Sequence, residues 1–331
     1  MVGTGGMAGA MAAAPIMTPP PGARAFLDAA GWADAEILPL AGDASFRRYF
    51  RAVAPTRSAV LMDAPPEHED SRPFLTVAEH LNALGFAAPR VLAKDLGQGL
   101  ILLEDFGDER MREAIEVDPA RETSIYTAAI DLLRDLHLHP AGPLPPYDMA
   151  VYQREVALLP EWYLPAIGIE PGPGYAQAWE EVLAPFANDQ SVSVLRDYHA
   201  ENIMLLDGGK LGLLDFQDAL AGHPVYDLVS LLQDARRDVP QDVESAMLER
   251  YGPHDRAAYA VIGAQRNAKI VGIFTRLWKR DGKPRYMAYQ PRVWAYLERD
   301  LAHPALAPVK AWIDANVPAD KRGSLWDNKA L

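Results

Sequence analysis

Near Gly107 the hydrophobic pattern of this chain changes period, and that change limits the folds open to it. Before it, apolar residues mostly alternate in short runs bounded by Gly and Pro; from Thr123 on they recur mostly at helical spacing. The pattern predicts a short helix over 23–30, strands over 46–53 and 58–62, an amphipathic helix over 73–84 stopped by Gly85, and a hairpin over 91–103 turning at Gly97-Gln98-Gly99. The expectation is an α+β chain of two lobes, a small mixed sheet and helix lobe over 24–107 and a larger, mainly helical lobe over 108–331. Residues 1–23, mostly Gly, Ala, Met and Pro, are expected to form a disordered tail, with Met7, Met11 and Met17 as alternative starts.

The helical half is interrupted by strands around Val194, over 203–206 and over 211–215, and the polar residues here are specific. Asp197 is followed by Asn202 five positions on, and the last strand ends in Asp215 after the tight turn Asp207-Gly208-Gly209. A hairpin closing at that turn brings Asn202 beside Asp215 and leaves Asp197 on the loop before it. Phosphoryl transfer from a nucleotide needs one carboxylate to take the acceptor hydroxyl's proton, and an amide oxygen with a second carboxylate to hold magnesium against the phosphates. Each of these residues alone is as well explained as a turn former; the three at this spacing are not.

Composition removes other classes. The 45 acidic against 32 basic residues give a net charge of -13, which repels polyanions and argues against a nucleic-acid partner. No apolar run approaches the length of a membrane span, and no basic segment precedes the apolar start as in a secretory signal. Cysteine is absent, which excludes disulfides and thiolate chemistry and suits a cytoplasmic location.

At Asp197 to Asn202, and in Leu214-Asp215-Phe216-Gln217-Asp218-Ala219, the chain resembles the aminoglycoside phosphotransferase-like branch of the protein-kinase-like fold. That family's loop reads H-G-D-x-x-x-x-N, with I-D-[FW]-x-x-A after it. Gly222-His223-Pro224-Val225-Tyr226-Asp227-Leu228 is similar to its G-x-P-x-x-D-L element, which implies that Asp227 braces the catalytic loop. More narrowly, the segments 42–51, 61–66 and 196–199 resemble the cell-wall recycling kinases, which phosphorylate the anomeric hydroxyl of N-acetylmuramic acid and N-acetylglucosamine. The resemblance implies ATP and Mg2+ as cofactors and a small amino sugar as partner. Another acceptor (aminoglycoside, choline, homoserine) and a nucleotide-binding pseudokinase are the alternatives.

Two positions depart from the family pattern. Leu195 replaces a histidine that supports the loop, and Met62 stands where a phosphate-binding lysine is usual. A thioether offers phosphate no cation. Arg47, Arg48 and Arg51 follow the candidate phosphate-covering loop with Gly42, Asp43 and Ser45; one of them would replace the lysine, or all three are edge charges. Alternation puts Arg47 and Arg51 on one strand face and Arg48 with Phe46 and Phe50 on the other. The resemblance implies that Glu104 and Phe106 meet adenine through their main chains. For the acceptor, His199 and Glu201 lie within the loop, and Arg266, Lys269 and Arg276 lie on a helix, as contacts for a substrate carboxylate or as a solvated stripe.

Overall fold

The computed structural model describes residues 17–40 and 46–325. They form two compact units, residues up to 72 with 90–105, and residues 73–89 with 106 onward.

The first unit contains helix α1 (Ala23–Ala29) and a five-stranded antiparallel sheet of β1 (Glu36–Pro39), β2 (Arg48–Ala54), β3 (Arg57–Asp63), β4 (Val91–Asp95) and β5 (Leu100–Glu104), in the order β1-β2-β3-β5-β4. Phe50, Ala52, Ala59, Leu61, Leu100 and Leu102 alternate onto one sheet face and close a core with Phe26, Leu27 and Trp32. Part of the expected tail is structured: Met17 packs on this core and Pro20 is buried. Gly99 (φ 71) is required where the hairpin returns, because a Cβ there would lie 2.1 Å from the Ala64 carbonyl oxygen.

The second unit begins within α2 (Arg72–Ala83), at Pro73. Gly85 (φ 92) ends this helix in a Schellman turn, with Phe86 N–H donating to the Leu81 carbonyl and Gly85 N–H to that of Asn82. The segment 73–89 thus groups with later residues, not with the small sheet as the boundary at 107 supposed. Phe74 stacks on Phe216 at 5.2 Å, and Leu213 N–H donates to the Ala87 carbonyl.

Helices α3 (Met111–Val117), α4 (Glu122–Leu136), α5 (Met149–Val156), α6 (Leu164–Ala166) and α7 (Tyr175–Leu183) follow. Two antiparallel ladders come next, β6 (Val192–Val194) with β9 (Leu220–Gly222), and β7 (Ile203–Leu205) with β8 (Leu211–Leu213). Then come α8 (Val225–Leu232), α9 (Gln241–Tyr251), α10 (Arg256–Lys279), α11 (Gln290–Leu301) and α12 (Ala307–Asn316). Asp255 caps α10 by accepting from the Ala257 and Ala258 amides. This 24-residue helix is buried along most of its length, and glycines let neighbours approach it: a Cβ on Gly272 would lie 2.4 Å from the Leu158 backbone. No described helix is long and apolar enough to cross a membrane.

Candidate active site

Asp197, Asn202 and Asp215 are brought together by local structure in the second unit. In the β7–β8 ladder Ile203 faces Leu213, and Leu214 N–H donates to the Asn202 carbonyl, so Asn202 lies one residue from Asp215 across the hairpin. The turn works because Gly208 and Gly209 both take positive φ, as the sequence Asp-Gly-Gly predicts. Asn202 Nδ2 donates to the Asp197 carbonyl at 3.0 Å, which ties the loop's ends and orients Oδ1 as its acceptor end. Asp215 (φ 56) is one of two described non-glycine residues in the left-handed region, a conformation aspartate tolerates better than most. Its Oδ1 accepts from Gln217 Nε2 at 3.0 Å.

The other residue with positive φ is Arg196 (φ 70), at the glycine of the H-G-D pattern. An arginine there costs about 1 kcal/mol of backbone strain, so its surroundings must hold it. Its N–H donates to Asp227 Oδ1 at 2.9 Å and that of Leu195 to Asp227 Oδ2 at 2.6 Å; its carbonyl accepts from Ser230 Oγ at 3.1 Å. Its guanidinium pairs with Glu155 on α5 and donates to the Asp218 carbonyl. Asp227 thus receives both amides before the loop, the contact expected of a brace, and burial pushes its carboxyl up to about 7 against those two donors.

Asp197 is half-buried. Burial opposes its charge, yet Lys269 foremost, with Arg266 and Arg236, outweighs it and holds the carboxyl at about 2. A carboxylate so held stays ionised; it can orient a hydroxyl and receive its proton as the oxygen bonds to phosphorus. The cations come from distant chain. Lys269 on α10 pairs with Glu155 at 3.2 Å and donates to the Tyr226 hydroxyl at 3.1 Å. Glu155 also accepts from Tyr147 Oη and Gln265 Nε2, and the ion pairs, with Lys269 foremost, bring it down to about 2 despite its burial.

His199 is buried and neutral, since burial and Arg236 push it well below its usual range. Arg236 Nη1 is 3.0 Å from its Nε2, and because arginine only donates, that nitrogen carries the lone pair. Glu201 pairs with both Arg112 and Arg236. Arg266 and Lys269 are buried and not a solvated stripe, whereas Arg276, seven residues and about 10 Å along the helix, sits with Arg280, Asp281 and Glu161 and not at the loop. Glu155, Arg112 and Arg236 carry no sequence signal: a lone Glu on a helix and an Arg-Arg pair read as solvated charge.

In the first unit, Gly42, Asp43 and Ser45 lie outside the described residues. Met62 is fully buried on the sheet face opposite the core of that unit. Arg48 lies near the Phe50 ring and pairs with Asp63 at 2.6 Å; Arg47 approaches Glu69 at 4.0 Å; Arg51 pairs with Asp105 at 2.8 Å. Arg51 faces Val60 across β2–β3, which makes it the diagonal neighbour of Met62 on the same face. Glu104 donates its N–H to the Arg90 carbonyl, and its carboxylate accepts from the Arg90 guanidinium. Phe106 belongs to the second unit, where its ring lies over Gly212; a Cβ there would come within 2.6 Å of it.

The oxygen donors Asn202 Oδ1 and Asp215 suit magnesium, which takes one or two protein carboxylates and completes its shell with phosphate and water. Among the described residues no group of three or more His, Asp or Glu gathers as a metal cage.

Residues 36–262 match the model of the phosphotransferase enzyme family (APH). The chain is 38% identical to the N-acetylmuramate/N-acetylglucosamine kinase of Caulobacter vibrioides over 90% of this chain and 96% of the relative. With the kinase of the same name from Pseudomonas aeruginosa it shares 40% identity over 84% and 89%. In fold it is similar to a choline/ethanolamine kinase family protein from Mesorhizobium loti (TM-score 0.62, 17% identity, 89% of this chain and 98% of that one). It is also similar to choline kinase LicA from Streptococcus pneumoniae (TM-score 0.58, 14% identity, 85% and 96%).

Proposed function

The chain belongs to the phosphotransferase enzyme family, and from that premise we propose that it is an ATP-dependent kinase phosphorylating the anomeric hydroxyl of N-acetylmuramic acid and N-acetylglucosamine. The observation that carries the acceptor is the similarity, over nearly the whole chain, to kinases named for these two sugars. The reaction type rests on the loop itself.

In this reading Asp197 orients the sugar hydroxyl and takes its proton. Its ionised state is supported by Lys269 and the arginines around it, and its position by Asp227, which anchors the two preceding amides. Asn202 and Asp215 would hold magnesium, which when bound neutralises phosphate charge. The residues of the first unit, with Arg51 beside Met62 foremost among Arg47, Arg48 and Arg51, would serve the nucleotide together with Gly42, Asp43 and Ser45. The carbonyl of Glu104 and the main chain of Phe106 would meet adenine. His199 and Glu201 complete the acceptor side, held in place by Arg236 and Arg112.

The test is a phosphorylation screen of the purified protein with ATP over N-acetylmuramic acid, N-acetylglucosamine, an aminoglycoside and choline, with the phosphate's position read by NMR. The expected product carries phosphate at the anomeric oxygen of the two amino sugars. Phosphate on an aminoglycoside or choline, with neither sugar turned over, refutes the acceptor.

A further inference from the structure

Three cations influence Asp197, and two of them are engaged. Lys269 is committed to Glu155 and Tyr226, and Arg236 to Glu201 and His199. The Arg266 side chain makes neither an ion pair nor a hydrogen bond among the described residues, although the residue is only 2% exposed and its Nη1 is sealed from solvent without a partner. A buried guanidinium left this way is costly, because each unpaired charged donor has given up its water for nothing in return.

The neighbours of Arg266 locate it under the loop. On α10 it stands between Gln265, which donates to Glu155, and Asn267, which donates to Gln233. Gln233 begins the segment whose next residue, Asp234, accepts the Ala200 amide, while Arg236 reaches His199. The Arg266 charge acts on Asp197, on Asp227 beneath Leu195 and Arg196, and on Asp234 beneath Ala200. Each of these acids is engaged elsewhere or reserved for the acceptor.

We propose that Arg266 is a catalytic residue whose guanidinium fork receives the oxygens of the phosphoryl group in transfer. This rests on the kinase reading above. In that step the sugar oxygen bonds to the γ-phosphorus and its proton passes to Asp197. The bridging P–O bond to the β-phosphate breaks, with its electron pair leaving on ADP. The transferring group spreads negative charge over three oxygens, and a planar fork whose charge already acts on the base matches two of them. A sugar carboxylate is the weaker match: a cation serving only the acid of N-acetylmuramic acid would stay buried and unpaired whenever N-acetylglucosamine is bound.

Arg266→Gln and Arg266→Lys test this in two assays, with folding checked by thermal unfolding. In the first, turnover is measured with both sugars. Arg266→Gln is expected to lower kcat about 100-fold with either sugar, leaving the sugar KM near wild type; Arg266→Lys, with charge but no fork, is expected to lose about tenfold. In the second, ADP binding is titrated with and without aluminium fluoride, which mimics the phosphoryl group in flight. Arg266→Gln should bind ADP as wild type does and lose the tightening that aluminium fluoride brings.

Loss confined to N-acetylmuramic acid would overturn the proposal and assign the cation to the carboxylate. Turnover in Arg266→Lys equal to wild type, or aluminium fluoride tightening intact in Arg266→Gln, would also overturn it. Should Arg266→Gln not fold, Arg266→Lys decides in both assays by the same criteria. A wild-type protein active on neither sugar refutes the acceptor assignment alone, and the ADP titrations still judge Arg266.

Discussion

The buried Glu155 and the half-buried Arg196 meet in an ion pair although they lie 41 positions apart in the chain. The pair holds an arginine in a backbone conformation that favours glycine, directly before the residue assigned as base. Glu155→Ala would leave both Arg196 and Lys269 without their buried acid. The expected loss is about 3–5 kcal/mol of folding stability, read by urea denaturation. Arg196→Gly should lose less, because glycine relaxes the strain at that position while Lys269 keeps its partner. Equal stability of Glu155→Ala and wild type would remove the pair from the supports of the loop.

Asp197→Asn keeps shape and removes the charge that accepts the proton. Turnover with N-acetylglucosamine is expected to fall about 10²- to 10⁴-fold, while ADP affinity by calorimetry stays within a factor of about three, within the scatter of surface-neutral changes. Near wild-type turnover in this variant would dismiss Asp197 as the base.

The share of stability that Asp227 and Asp300 contribute should fall from mildly acid to mildly alkaline pH, opposite in sign to that of the half-buried His137 and the buried His199, which burial pushes down. Burial pushes Asp227 up to about 7 and Asp300 up to about 8, against 3.8 for a free aspartate. Between those values each binds a proton in the folded chain that it has shed in the unfolded one. Their share of stability is full below about 4 and lost as pH rises to about 8. Glu155 and Asp197, held at about 2 by their cations despite burial, act in the opposite sense: their share is present above about 4 and lost as pH falls towards 2. Asp300 accepts from Gln233 and Asn267, away from the reacting groups. Relative to wild type, Asp300→Asn should therefore shift the change in thermal midpoint from pH of about 5.5 to about 8.5 upwards; a change equal to that of wild type would assign the effect elsewhere.

Gly272→Ala sets two opposed effects against each other. Alanine favours the interior of α10 by about 1 kcal/mol, but its Cβ would meet Leu158 backbone at 2.4 Å. Backbone cannot rotate away, and overpacking costs about 1–3 kcal/mol. A lower thermal midpoint is expected; a higher one would mean that the contact yields.

What could be read in the sequence was what short-range contacts decide. The helix ending at Gly85, the β4–β5 hairpin and the β7–β8 hairpin turning at Asp207-Gly208-Gly209 each depend on residues within a few positions of one another. The strand faces of Arg48 and Phe50 followed from alternation alone. Lys269 and Arg266 were ambiguous for the opposite reason: spacing shows that two charges share a helix face, but not what covers that face. The grouping of α2 with later residues was hidden likewise, since Phe74 finds Phe216 only in the folded chain.

By itself, then, the sequence determined the acid, amide and acid of the loop and hairpin, because a two-strand ladder of fixed register carries Asn202 to Asp215 whatever surrounds it. Only the tertiary structure decided the electrostatics of that set. Arg236 after α8 and Arg266 and Lys269 on α10 converge under the loop, with Glu155 on α5 pairing Lys269, and the charge of the three cations keeps Asp197 ionised where burial opposes it. Periodicity within one segment holds no record of such convergence, because each charge is set by contacts made across the whole core.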